Sequence, residues 1–314
     1  MSIIDKTGFR GAGMAAIGIY ILVYSASLYV LSGQEGFSLV EPLFVLATLG
    51  LAFPLLAIFL TGNARMPEPL ITRPKQELAA VLMYLTWFAV GVLGYGFTVL
   101  KTSIVEPQSQ SMALLAIKSV SMVMMPVALL GMFGHRWQDV LAMRWNGGKH
   151  WKALLGVGLA LLAFQAVFGR GLITIGELAP SPLTLAWAIP ACFVFLLLEV
   201  GLCEEIPFRV ILQSRLSAVL NSELAAVCLA SLLFGLAHAP GLYLRGASLM
   251  EGADAHPTLI WAIAYSIAII SPAGILFGVL WSRTRSLGLL IVLHALTDLL
   301  PNLAEFIETW SQSS

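Results

Sequence analysis

Long apolar runs alternate with short polar ones along the whole chain. Nine stretches carry few or no charges over 16 to 24 residues each: Gly11 to Leu31, Leu43 to Leu60, Leu78 to Leu100, Met112 to Met132, Ala153 to Phe168, Leu183 to Cys203, Glu223 to Ala239, Thr258 to Trp281, and Leu287 to Phe306. About 20 apolar residues in a helix cross the hydrocarbon core of a bilayer, where every backbone group must find its partner inside the protein. The pattern therefore predicts an all-α, polytopic transmembrane bundle of eight or nine spans, the fifth and seventh runs being the shortest. Pro180, Pro182 and Pro190 bracket the start of the sixth run. Pro240 is expected to close the seventh, because the residue before a proline is biased away from helix, and this would leave His238 near a helix end.

Charge gives the runs a direction. With the N-terminus in the cytoplasm, nine spans leave only Lys101, Arg170 and Arg245 on the outer side and Lys118 inside a span, and every other Lys and Arg faces the cytoplasm. That is the asymmetry of the positive-inside rule. The first run follows Lys6 and Arg10 as a signal peptide would, yet it continues to Leu31, which favours a retained span. Around Arg136, three tryptophans (Trp137, Trp145 and Trp151) lie among basic residues, a composition suited to anchoring at the membrane interface.

Composition agrees: 59% of the 314 residues are hydrophobic, 11% are charged and the formal net charge is zero. Neither a basic patch nor an acidic tail points to nucleic acid. Cys192, Cys203 and Cys228 lie in apolar stretches without C-x-x-C spacing and read as buried, unpaired thiols.

The polar residues inside the runs are unevenly spread. Before residue 183 the spans hold Lys118 and Gln165, and Lys118 reads as a lysine that snorkels or pairs. From Leu183 onward come Glu199, Glu204, Glu205, Arg209, His238, His294 and Asp298. An ionisable residue in an apolar span costs at least about 2.5–3.5 kcal/mol, so four of them between Glu199 and Arg209 need a reason. Glu205 and Arg209 are four apart and share a helical face, whereas Glu204 is turned about 100° away and is left without that partner. Phe234 with His238, and His294 with Asp298, repeat the same spacing. Residues 1–151 thus supply membrane helices with no role assigned by sequence, and residues 152–314 a core around a polar cavity.

The succession E-E-x-x-x-R (Glu204, Glu205, Arg209), F-x-x-x-H (Phe234, His238) and H-x-x-x-D (His294, Asp298) resembles the CAAX-protease and bacteriocin-processing family of intramembrane proteases, also called the Abi family. The likeness covers about Leu183 to Phe306. It implies hydrolysis of a peptide bond in a membrane-associated peptide or protein, lipidated or not. It also implies roles: Glu204 as the base that activates water, His238 holding that water, His294 and Asp298 lining the oxyanion site, and Glu205 with Arg209 supporting the first helix. Asp298 stands where many members have Asn. An ionised carboxylate there would repel an oxyanion, and the preferred resolution is that Asp298 orients His294 through a ring N–H.

Two histidines and a glutamate also make a zinc set, with His238, His294 and Glu204 as ligands, although H-E-x-x-H is absent. The metal-free glutamic mechanism is preferred, and no cofactor is expected. Competing readings are an ion-coupled transporter, which lacks an inverted repeat here, and a non-catalytic scaffold or immunity protein. The compact chain with short loops reads as a multi-pass protein of a prokaryotic cytoplasmic membrane. One conflict remains at this level. Run boundaries put Glu204 near one membrane face and His238 near the other, about 24 Å apart, unless the sixth helix continues through Arg209 to about Arg215. His294, about 12 Å into the last run, suits a site opening toward the cytoplasm.

Overall fold

The structure, a computed structural model, describes residues 3–34, 36–62, 67, 71–145, 147–246 and 257–311. Arg65 lies outside these, as do the side chains of Lys6 and Arg10, so their part in the charge asymmetry has no structural counterpart. Nine helices among the described residues are long and apolar enough to cross a membrane: α1 Gly11–Ser32, α2 Val40–Thr61, α3 Pro74–Ser103, α4 Pro107–Gly131, α5 Gly147–Phe168, α6 Pro182–Leu220, α7 Glu223–Arg245, α8 Leu259–Thr284 and α9 Leu287–Ser311. No strand occurs among the described residues. The protein is a multi-pass, all-α membrane protein.

The sequence marks where these helices begin. Ser181 Oγ accepts the N–H of Thr184 at 3.0 Å, Ser222 Oγ that of Ala225 at 3.2 Å, and Thr258 Oγ1 that of Trp261 at 3.2 Å. Each satisfies a donor that a helix start leaves open. Two helices of the core end on left-handed residues, Asn221 at φ 49° and Arg285 at φ 52°. Asn221 and Ser222 alone join α6 to α7, and Arg285 and Ser286 alone join α8 to α9. An ion pair between Arg285 and Glu223 ties these two turns together at one end of the bundle, called here the turn end.

Helices α6 to α9 form the centre. Over their most apolar stretches, 56% of α7, 67% of α8 and 50% of α9 are buried against protein, compared with 17–28% for the first five spans, which wrap the centre; α6 is only 28% buried over that stretch and joins the centre through its second half, where residues 203–216 are all buried. Packing is close where small residues meet. A Cβ added at Gly201 on α6 would stand 2.7 Å from the carbonyl oxygen of Ile291 on α9, and one at Gly274 on α8 would stand 2.9 Å from the Cα of Ser231 on α7. Small residues let backbones touch in this way inside a membrane. The surrounding spans are fastened by polar contacts. Gln165 of α5 donates to the carbonyl of Leu296 on α9 at 3.0 Å, and Arg245 of α7 to that of Gly94 on α3 at 2.7 Å. A fully buried Glu77 of α3 pairs with Arg215 of α6 at 3.1 Å and lies 3.0 Å from Nε2 of His135.

Two expectations are corrected and a third is met. The seventh helix does not stop at Pro240 but passes through it to Arg245, so His238 lies inside the helix. Proline removes one backbone bond, and inside a membrane bundle neighbouring helices make that tolerable. The sixth helix does run on past the apolar run's edge at Cys203, through Arg209 and Arg215 to Leu220, with Arg209, Gln213 and Arg215 buried, as the conflict of depth required. These residues read as the edge of a span because they are polar, but they are buried against protein. The fifth helix starts at Gly147, well before Ala153.

The long α6 also removes the conflict of depth. Glu204 lies 16 residues before the end of α6 and His238 lies 15 residues after the start of α7, so the tight turn sets both about 23–24 Å from it, side by side.

Candidate active site

Four helices converge on the side chains singled out by their spacing. On α6, the run Cys203–Glu205 is flanked by two wider, π-helical stretches, Leu197–Leu202 and Ile206–Gln213. Pro207 withholds a backbone N–H there, and wider stretches of the same kind occur in α2, α3, α4 and α8 as well. Gly201, one turn earlier, brings α6 onto the backbone of α9 and so carries Glu205 to His294.

Glu204 and Glu205 do different things. Glu205 is fully buried; its Oε1 lies 2.7 Å from Nδ1 of His294, and its Oε2 faces Nε of Arg209 at 3.6 Å. Arg209 is equally buried, and its guanidinium lies 4.6 Å over the ring of Phe234. Glu204 makes only longer contacts: Oε2 is 4.0 Å from Nε2 of His238 and 3.9 Å from Nε2 of His294. The imidazoles are held from behind. Nδ1 of His238 lies 2.8 Å from the carbonyl oxygen of Phe234, which can only accept, so Nδ1 donates there and Nε2 is the nitrogen turned toward Glu204. His294 stacks on Phe277 at 4.4 Å, and Phe234 meets His238 edge-on at 4.9 Å.

Asp298 is present but less central than expected. Its Oδ2 is 3.7 Å from Nε2 of His294, too far for a hydrogen bond, and it is Glu205 that takes the other ring nitrogen. Asp298 lies one turn further along α9, with its backbone carbonyl accepting from Asn302 at 2.8 Å.

Two residues outside the three motifs join the cluster. Lys118, from the middle of α4, donates to the carboxylate of Glu199 and stands 3.9 Å from Oε1 of Glu204. The lysine expected to snorkel or pair is therefore paired, with a partner 81 residues away. The signal for both was the same as for the motif residues, an ionisable group in an apolar run, but neither has a partner at helical spacing to mark it.

Two cavities adjoin the cluster. A mixed polar crevice of about 200 Å³ reaches Glu199 between α4, α6 and α9, lined by Lys101, Ser111, Asn302, Glu305 and Thr309. It runs toward the end opposite the turns, not the turn end from which the depth of His294 led us to expect access. An apolar cavity of about 270 Å³ lies between α3, α7 and α8, lined by Phe208, Leu233, Ala237 and Pro240 among others, with none of the motif carboxylates or imidazoles in its wall.

A zinc reading meets a spacing problem. Donors about 2.0–2.1 Å from a tetrahedral zinc sit about 3.4 Å from one another. The 3.9 and 4.0 Å separations from Glu204 to the two histidines are wider, and the ammonium of Lys118 already faces the same carboxylate. Among the described residues no group of three His, Cys, Asp or Glu is placed to hold a metal ion. As arranged, the set does not fit zinc.

Compared with known proteins, residues 185–300 match the family model described as Rce1-like, type II CAAX prenyl endopeptidase. The matched segment contains every residue of the three motifs and ends before the last turns of α9. No curated protein and no solved structure matched the chain.

Proposed function

We infer, from the match of residues 185–300 to the Rce1-like CAAX endopeptidase family model, that this protein hydrolyses a peptide bond within the membrane and that Glu204 is its base. The observation that carries the reading is the position of Oε2 of Glu204, 3.9–4.0 Å from the Nε2 atoms of two histidines on two other helices. Groups at that separation can each lie about 2.8 Å from one shared water, a usual hydrogen-bond length. Such a water donates one hydrogen to Glu204 and the other to the lone pair of His238, and keeps its own lone pair for attack.

The steps then follow. The water oxygen bonds to the scissile carbonyl carbon while its proton passes to Glu204. The C–N bond breaks and the same proton goes to the departing amine. His294, held at Nδ1 by Glu205, faces this centre with Nε2, and in its doubly protonated form it donates there to the developing oxyanion, a contact typically worth about 2.7–4 kcal/mol. Arg209 compensates the charge of Glu205. The mechanism draws on no metal.

The apolar cavity between α3, α7 and α8 supports a substrate that brings an apolar chain, and the crevice at Glu199 supports water entry from the end opposite the turns. The charge asymmetry of the loops supports an N-terminus in the cytoplasm, with the turn end on that side.

The test is cleavage of quenched fluorescent peptides, prenylated and unprenylated, by detergent-purified protein. Wild type is expected to cleave with or without a strong zinc chelator, and Glu204→Gln to lose about 10²–10⁴-fold in kcat. Loss on chelation with recovery on adding zinc would overturn the metal-free mechanism. Full activity in Glu204→Gln would overturn the role of the base.

A further inference from the structure

The carboxylate of Glu204 has two oxygens, and they face different partners. Oε2 is turned to His238 and His294, while Oε1 is turned to the ammonium of Lys118 at 3.9 Å. Lys118 lies on α4, outside the segment that matches the protease family. Its side chain is only 12% exposed, and it is fixed from the far side by Glu199, whose carboxylate and backbone carbonyl both accept from it, the latter at 3.3 Å. A cation held so firmly, with most of its side chain buried, acts more strongly on a neighbouring carboxylate than it would in open water.

Building on Glu204 as the base, we propose that Lys118 is a positioning residue for the hydrolytic step. Gripped by Glu199, its ammonium draws Oε1 of Glu204 toward α4 and thereby presents Oε2 to the water between the two histidines. The fourth span is then part of the enzyme and not only of its lipid-facing wrapping. Lys118 touches no reacting atom, so its loss should slow turnover and leave substrate binding alone.

The simpler possibility is that Lys118 and Glu199 merely tie α4 to α6. Lys118→Met alone cannot separate the two, because it leaves Glu199 as an uncompensated buried carboxylate. The double variant Lys118→Met/Glu199→Leu removes both charges, and exchanging a buried ion pair for apolar residues is often neutral or stabilising. We expect it to keep the thermal midpoint and KM of wild type in the peptide assay and to lose on the order of 100-fold in kcat. Lys118→Arg, which keeps a cation facing the same two carboxylates, should recover at least about tenfold of that loss.

A wild-type kcat in the double variant, beside an inactive Glu204→Gln, would reduce the pair to a tie and overturn the proposal while leaving the base in place. Equal kcat in the double variant and Lys118→Arg would also overturn it. A wild-type protein that cleaves no peptide, or a fully active Glu204→Gln, would remove the premise and the proposal together.

Discussion

At the scale of single residues the site is a set of paired and unpaired charges. Glu205 is the most constrained: it orders His294 on one side and compensates Arg209 on the other, with no exposure to solvent. Glu205→Gln keeps an acceptor for the imidazole but leaves Arg209 a lone buried cation, at a cost of about 3–5 kcal/mol. The expected result is a clearly lower thermal midpoint in detergent. Asp298 should behave differently. It makes no hydrogen bond to His294, so Asp298→Asn is expected to keep the wild-type midpoint and most of the peptide cleavage. Asp298→Leu, which puts an apolar group against Nε2 of His294, is expected to lose cleavage at least about tenfold. Equal losses in the two Asp298 variants would assign its role to the negative charge, which both remove, and not to a polar group at that position.

Among the elements, the crossing of α6 and α9 at Gly201 is what brings the motif residues together. A larger residue there has no room, since its Cβ alone would stand 2.7 Å from the backbone of Ile291. Gly201→Val is therefore expected to separate Glu205 from His294, abolish cleavage and lower the midpoint. Gly18→Val on α1, where an added Cβ meets nothing within 4 Å, should change neither. The spans themselves were legible in the sequence because lipid selects for length and apolarity, and both can be counted. Their ends were not, and α6 shows why. Arg209, Gln213 and Arg215 are polar, so hydropathy stops the helix before them, but their environment is protein, which a one-dimensional pattern does not register. Pro240 misleads for a related reason: its missing backbone bond is tolerated within the packed centre and would not be in an isolated helix.

For the molecule as a whole, the first four spans are joined to the last four by buried charge as well as by apolar packing. Glu77 of α3 meets Arg215 of α6 near the turn end, and Lys118 of α4 meets Glu199 of α6 at the level of the site. Glu77→Ala should leave Arg215 uncompensated and destabilise by about 3–5 kcal/mol, measured as a fall in thermal midpoint. Its distance from the motif residues should spare the KM of the protein that stays folded. Neither contact was legible beforehand. Glu205, His238 and His294 announce themselves through partners four residues away, whereas Lys118 and Glu77 answer to residues 81 and 138 positions distant, for which a single sequence holds no spacing rule. The same separation bears on how the protein is made. Lys118 is synthesised well before Glu199, so α4 enters the bilayer carrying an unanswered cation, a burden of roughly 2.5–3.5 kcal/mol on the insertion scale. When α6 follows, its first glutamate relieves that burden only by docking against α4. The lysine thus gives the growing chain a reason to gather its later helices around an earlier one, and the contact that answers its charge lies beside Glu204.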